Sequence, residues 1–236
     1  ASGSYLAVVC ILAMYHPLEV SVISHVLFPM GVLGLVGMET KFGVVKLISV
    51  IIPRVFIILA CLGWGQAYIG VVLLSIIAIN IIEAVIMDGL KGTYCNAVVG
   101  LLLIGSLYFV QVEWTGQYGG MMSSSTWLWV LAYTIWGWQI VLNHTEGPYS
   151  ITHFAVLLVP LVWIVFQGDV EGWLVMRELT LTLGISTLAV FRKTLKSSIY
   201  QVITPQQFAQ FKQRVFSSKV QLILLVINIS ILAIQF

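Results

Sequence analysis

The sequence predicts an all-α protein: a polytopic integral membrane helical bundle of seven or eight transmembrane helices in a single domain. Three observations lead there. Of 236 residues, 60% are hydrophobic and the mean hydropathy is +1.03. Only 8% are charged, 11 Lys/Arg and 9 Asp/Glu, against about 25% in an average soluble domain. Apolar runs recur at the roughly 20-residue length that a 30 Å hydrocarbon core demands of a helix. So few charges could not cover the surface of a water-soluble fold of this size. A soluble enzyme, a disordered tail, a nucleic-acid-binding domain and a disulfide scaffold are thereby excluded.

The elements follow in order. Ala1 to Tyr15 is apolar but lacks the basic n-region of a secretory signal peptide, and a start without Met suggests a processed or trimmed terminus. Tyr5 to Met38 is interrupted at His16-Pro17-Leu18-Glu19. Pro17 removes a backbone donor there, which favours a short interfacial segment followed by a span from Val20 to Met38. Clearer spans run from Lys46 to Gly63, Ala67 to Met87, Thr93 to Val112, Thr126 to Asn143, Ser150 to Gln167, Gly172 to Val190 and Val220 to Phe236. The one long polar stretch, 192–219, contains a short helix opening at Thr204-Pro205, since proline suits the first helical position. Phe208, Phe211 and Phe216 beside Lys212 and Arg214 suit a membrane surface. Cys10, Cys61 and Cys95 form no CxxC pair and read as small buried hydrophobes.

Loop charge gives an orientation. Arg192, Lys193, Lys196, Lys212, Arg214 and Lys219 gather in 192–219, which is therefore expected to be cytoplasmic. Alternation then puts Lys41, Lys46 and Lys91 on the same side, and the connections expected outside contain no Lys or Arg. Trp64, Trp114, Trp127, Trp129 and Trp173 fall near the outer interface and read as belt residues.

Polar groups at membrane depth are costly and mark candidate sites. Counting rise per residue, Arg54, Asn80, Glu83, Asn96, Gln139, Asn143 and His153 occupy one inner layer drawn from five spans. Asn80, Glu83 and Met87 share a helix face at i, i+3, i+7, as do Trp136, Gln139 and Asn143. The layer reads as a cytoplasm-facing pocket with Tyr133, Trp136 and Trp138 as aromatic walls. Arg54 is the cation nearest Glu83 in depth. A second, exterior group comprises His16, Glu19, His25, Arg177 and Glu178, with Glu113 at the rim; Arg177 falls about 16 Å from the inner layer. His144 reads as a solvated loop residue. Irregular backbone is expected at Ile52-Pro53-Arg54 and Val159-Pro160. No metal or cofactor site is expected. GxSxG, HExxH, GxGxxG and Walker motifs are absent, and no span carries the mid-helix lysine that a retinal pigment needs.

Asn80-Ile-Ile-Glu83-Ala-Val with Asp88, then Asn96-Ala-x-x-Gly100, then Ala132-Tyr133-x-x-Trp136 resemble motifs of a bacterial family of multi-spanning membrane proteins without an established activity. The resemblance covers about residues 67–195 and departs where Gly137 follows Trp136, a place that family fills with Asn. It implies a bacterial polytopic membrane protein and no particular chemistry.

Three functions compete. A transporter or permease for a small polar or aromatic solute would use Glu83 as a titratable group. A non-catalytic subunit or sensor would pack on partner proteins or on a second copy. An intramembrane lipid-modifying enzyme would pair Glu83 with His153 as acid and base. Membrane lipids are expected partners, and the bacterial inner membrane the expected location.

Overall fold

In a computed structural model of the chain, residues 41–114, 121–122, 126–144, 149–168, 170, 172–174, 176–185 and 204–235 are described, with isolated positions before 41. The expected N-terminal segment and first span, His16, Glu19, His25, Cys10, and Arg192, Lys193 and Lys196 lie outside these residues.

The described chain is helical, as the composition predicts. Helix α1 is Lys41–Cys61 and α2 is Ile69–Leu90; α3 is Tyr94–Ser106. A two-residue antiparallel ladder of β1 (Val112–Glu113) and β2 (Met121–Met122) pairs Val112 with Met122. Then come α4 (Trp127–His144), α5 (Tyr149–Gln167), α6 (176–185), α7 (Pro205–Val215) and α8 (Ser218–Gln235). Pro53 and Pro160 do not produce the expected breaks: α1 and α5 run through them as continuous helix. Neighbouring helices can stabilise the carbonyl that a proline leaves unpaired.

Helix α7 starts where its sequence asks. Thr204 Oγ1 accepts from Gln207 N at 3.3 Å, the Gln207 side chain accepts from Thr204 N at 3.0 Å, and Pro205 follows in the first turn. This is a capping box, which satisfies donors that the first turn would leave open.

Helix α2 is central. It packs on α1, α3 and α4, while α8 packs on α3 and α4, and α5 on α4. Small residues allow the closest approaches. A Cβ on Gly100 of α3 would meet Val85 Cγ2 at 2.4 Å and Trp136 Cζ2 at 3.0 Å, so three helices meet at a site with no room for a methyl group. The core formed there includes Leu73, Ile77, Ile81, Val99, Leu103, Trp129 and Trp136. A second cluster joins Val156 of α5 to Met176, Leu179 and Leu183.

The outward faces are apolar too. Val71, Ile79, Ile86 and Leu90 of α2 are exposed, as are Leu222, Ile223, Val226 and Ile234 of α8. The segments Gln66–Leu90 and Ser218–Gln235 are long and apolar enough to cross a membrane, and only 22% and 17% of their most apolar stretches are buried. A core helix of a soluble protein would be mostly covered; these two turn their apolar side chains outward. Two of the tryptophans expected in an interfacial belt do not belong to one. Trp129 and Trp173 are fully buried, whereas Trp64 and Trp127 are exposed. An indole at a helix end can face headgroups or core, and here packing between rings holds these two inside.

Candidate functional site

The site begins with a chain reversal. Between α2 and α3, Gly92 takes φ +75°, a left-handed conformation that L side chains rarely adopt. Gly92 N then bonds Gly89 O at 3.2 Å and Thr93 N bonds Asp88 O at 2.9 Å. This paired pattern is a Schellman ending. It brings Thr93 and the first turn of α3 against Asp88, three residues inside the end of α2.

Asp88 is fully buried. Its Oδ1 accepts from Asn143 Nδ2 and Thr93 Oγ1, each at 2.9 Å, and lies 2.9 Å from His144 Nε2. Its Oδ2 accepts from Asn96 Nδ2. Asn143 gives its second amide proton to Thr93 Oγ1 at 3.0 Å. A carboxylate only accepts, so His144 Nε2 carries the proton in this contact. The end of α4 is fastened from outside as well, because Asn143 O accepts from Lys91 Nζ at 2.9 Å and from Lys212 Nζ of α7 at 3.2 Å. One carboxylate and one carbonyl thus join α2, α3, α4 and α7.

Beside this cluster opens a cavity of about 400 Å³. Along α2 its wall runs from Ile77 through Asn80, Glu83 and Met87 to Lys91, about 21 Å of helix. His144 stands at the Asp88 end and His153 contributes from α5. An aromatic wall faces them. Tyr133 and Trp136 have ring centroids 5.8 Å apart, and Tyr133 meets Trp173 edge-on at 5.4 Å. Trp136 is held by its Nε1, which donates to Asn96 O at 2.9 Å. The cavity wall and the Asp88 cluster are therefore linked through Asn96.

Of the residues singled out in the sequence, Asn80, Glu83, Tyr133, Trp136 and His153 line this cavity. Asn96 and Asn143 do not; they serve Asp88. Gln139 is buried away from the cavity, with Nε2 unpartnered among the described residues. Arg54 is fully buried on α1 and is not part of the wall. Equal depth is not equal direction, and a helix face turned to another neighbour separates residues of one layer. Trp138 packs on Phe154 at 5.8 Å instead of walling the cavity.

Other differences enlarge the site. Arg177 and Glu178, expected in a separate exterior group, line the same cavity as Glu83. His144 is no solvated loop residue; it ends α4 with a side chain only 16% exposed. Asp88 appears in the sequence as part of a motif and nothing more. The glycine two positions after the last helical residue, followed by Thr93 and Asn96, was its available signal. Among the described residues, no group of three His, Cys, Asp or Glu side chains is arranged to hold a metal ion.

No protein-family model matches the chain, and comparison with curated proteins and with solved structures gives no match.

Proposed function

We propose that this chain is a multi-pass membrane protein that binds a small polar or aromatic solute in the cavity beside Glu83 and acts as a transporter or permease. One observation carries the reading: Glu83 borders a cavity of about 400 Å³ whose walls are mostly aromatic and apolar, with Asn80, Lys91, His144, His153, Arg177 and Glu178 as the other polar groups. Small-molecule sites have this character, mostly apolar with a few convergent polar groups. The outward apolar faces of α2 and α8 support a bilayer setting. In this reading the bundle has seven or eight spans in a bacterial inner membrane, with 192–219 on the cytoplasmic side against anionic lipid.

The test is a ligand panel in detergent, read as a shift in Tm, on wild type and Glu83→Gln. A true solute raises the wild-type Tm and has a weaker effect on the variant. If nothing stabilises the wild type, or nothing loses its effect in the variant, the pocket reading fails. Uptake of the stabilising solute into proteoliposomes then tests transport.

A lipid-modifying enzyme is the second reading, favoured by Glu83 and His153 lining one cavity. It requires chemical turnover of the bound molecule. Recovery of that molecule unaltered after incubation decides for transport.

A further inference from the structure

Three N–H donors on two residues of this cavity's wall are buried and have no partner among the described residues: Nε1 of Trp173, and Nε and Nη1 of Arg177. Trp173 is 1% exposed. The two residues stand four apart, and Met176 N bonds Gly172 O at 2.9 Å in the helical backbone between them. Residues at i and i+4 share a helix face. A guanidinium stays protonated in any protein setting, and a buried N–H donor left without an acceptor is costly. Glu178 lies about 100° further round the helix than Arg177. These N–H donors, two of them on a cation, favour one missing component, an acceptor with negative charge.

We infer that Trp173 and Arg177 bind the acid group of the solute, and that the solute is a monocarboxylate with an aromatic or apolar body. The inference rests on the cavity being a solute site. A carboxylate fits better than a phosphate because Glu83 and Glu178 also line the cavity, and a dianion would be repelled by both. The ring cluster of Tyr133, Trp136 and Trp173 gives the body of such an acid an aromatic surface beside its head.

The experiment uses the full chain in detergent and two probes, 4-phenylbutyrate and its neutral counterpart 4-phenylbutanol, with affinity measured by calorimetry. Wild type binds the acid about tenfold more tightly than the alcohol, the effect of a charge-assisted hydrogen bond. Arg177→Gln binds the two about equally. Trp173→Phe keeps a ring, loses the N–H, and reduces the preference by about threefold. If Arg177→Gln does not fold, Arg177→Lys and Trp173→Phe decide, each with a reduced preference. Equal wild-type affinity for acid and alcohol overturns the inference while the cavity reading survives. A preference that persists undiminished in every folded variant also overturns it. If neither probe binds the wild type, both this inference and the cavity reading fall.

Discussion

Asn143 Nδ2 lies 2.9 Å from Asp88 Oδ1, although 55 residues separate them in the chain. The contact closes α4 onto α2 at a carboxylate that already accepts from Thr93 and Asn96. A buried acceptor surrounded by donors is a stabilising arrangement only while its charge and lone pairs remain in place.

Asp88→Asn keeps the shape and replaces one acceptor oxygen with a donor. At least one neighbouring donor then loses its partner and the amide faces another donor. The expected loss is about 3 kcal/mol or more, since each unsatisfied buried group costs about 1–3 kcal/mol. Denaturant titration in mixed micelles measures it, and an unchanged midpoint would show that the cluster contributes nothing. Asn143→Ala should cost less, because Thr93, Asn96 and His144 still reach the carboxylate.

Gly100→Ala places a methyl group against Val85 Cγ2 and the Trp136 ring. Overpacking of this kind costs about 1–3 kcal/mol. Because Trp136 walls the cavity, the displacement should also weaken solute binding in a variant that still folds. Gly105, where a Cβ meets nothing within 4 Å, supplies the control: Gly105→Ala should leave both properties nearly unchanged.

Lys212 gives a pH dependence of defined sign. Burial, and then repulsion from the nearby Lys91 ammonium, hold its pKa below the ordinary 10.5. The unfolded chain therefore binds this proton more tightly than the folded one, and stability rises with pH between the lowered value and 10.5. Below that window the unfavourable contribution is fully present; above it, it has gone. Tm against pH should rise less steeply in Lys212→Gln than in wild type across the alkaline range. Lys91→Gln should narrow the window by removing the repulsion. Superimposable profiles for wild type and Lys212→Gln would contradict this assignment.

Thr204→Ala removes the side chain at the head of α7 that accepts from Gln207 N. Loss of such a cap costs about 1 kcal/mol. The effect should be local: faster amide hydrogen exchange over the first turn of α7, with exchange in α2 and α3 unaffected. Equal protection in variant and wild type would mean that packing of Phe208, not the cap, holds the helix.

The helices were legible because hydrophobic runs and their breaks are local. Pro205 after Thr204 announces α7, and the polar breaks around Lys91 and His144 bracket α3 and α4 to within a few residues. Counting along the helices grouped Asn80, Glu83 and His153, which do line one cavity, but it set Arg177 and Glu178 apart, and they line that cavity too. Azimuth was not legible. Arg54, counted into the same layer, is not in the cavity wall, because a helix's rotation is set by its neighbours and not by its own residues. Asp88 was hidden for a related reason. Two of its four side-chain partners, Asn143 and His144, lie 55 and 56 residues further along the chain, and a charge near the end of an apolar run looks the same whether it enters water or a ring of donors. Trp173 was misread likewise, its position suiting a headgroup belt as well as a core.

The long separation between Asp88 and its last donors also has a temporal side. At roughly 5–20 residues per second, a ribosome takes about 3–11 s to add the 55 residues from Asp88 to Asn143. During that interval the carboxylate has only Thr93 and Asn96, which follow it at once, to stand in for water. Until α4 is made, an α2–α3 hairpin would hold this carboxylate with two of its four side-chain donors in place. Slower elongation between the two helices would lengthen that interval in proportion.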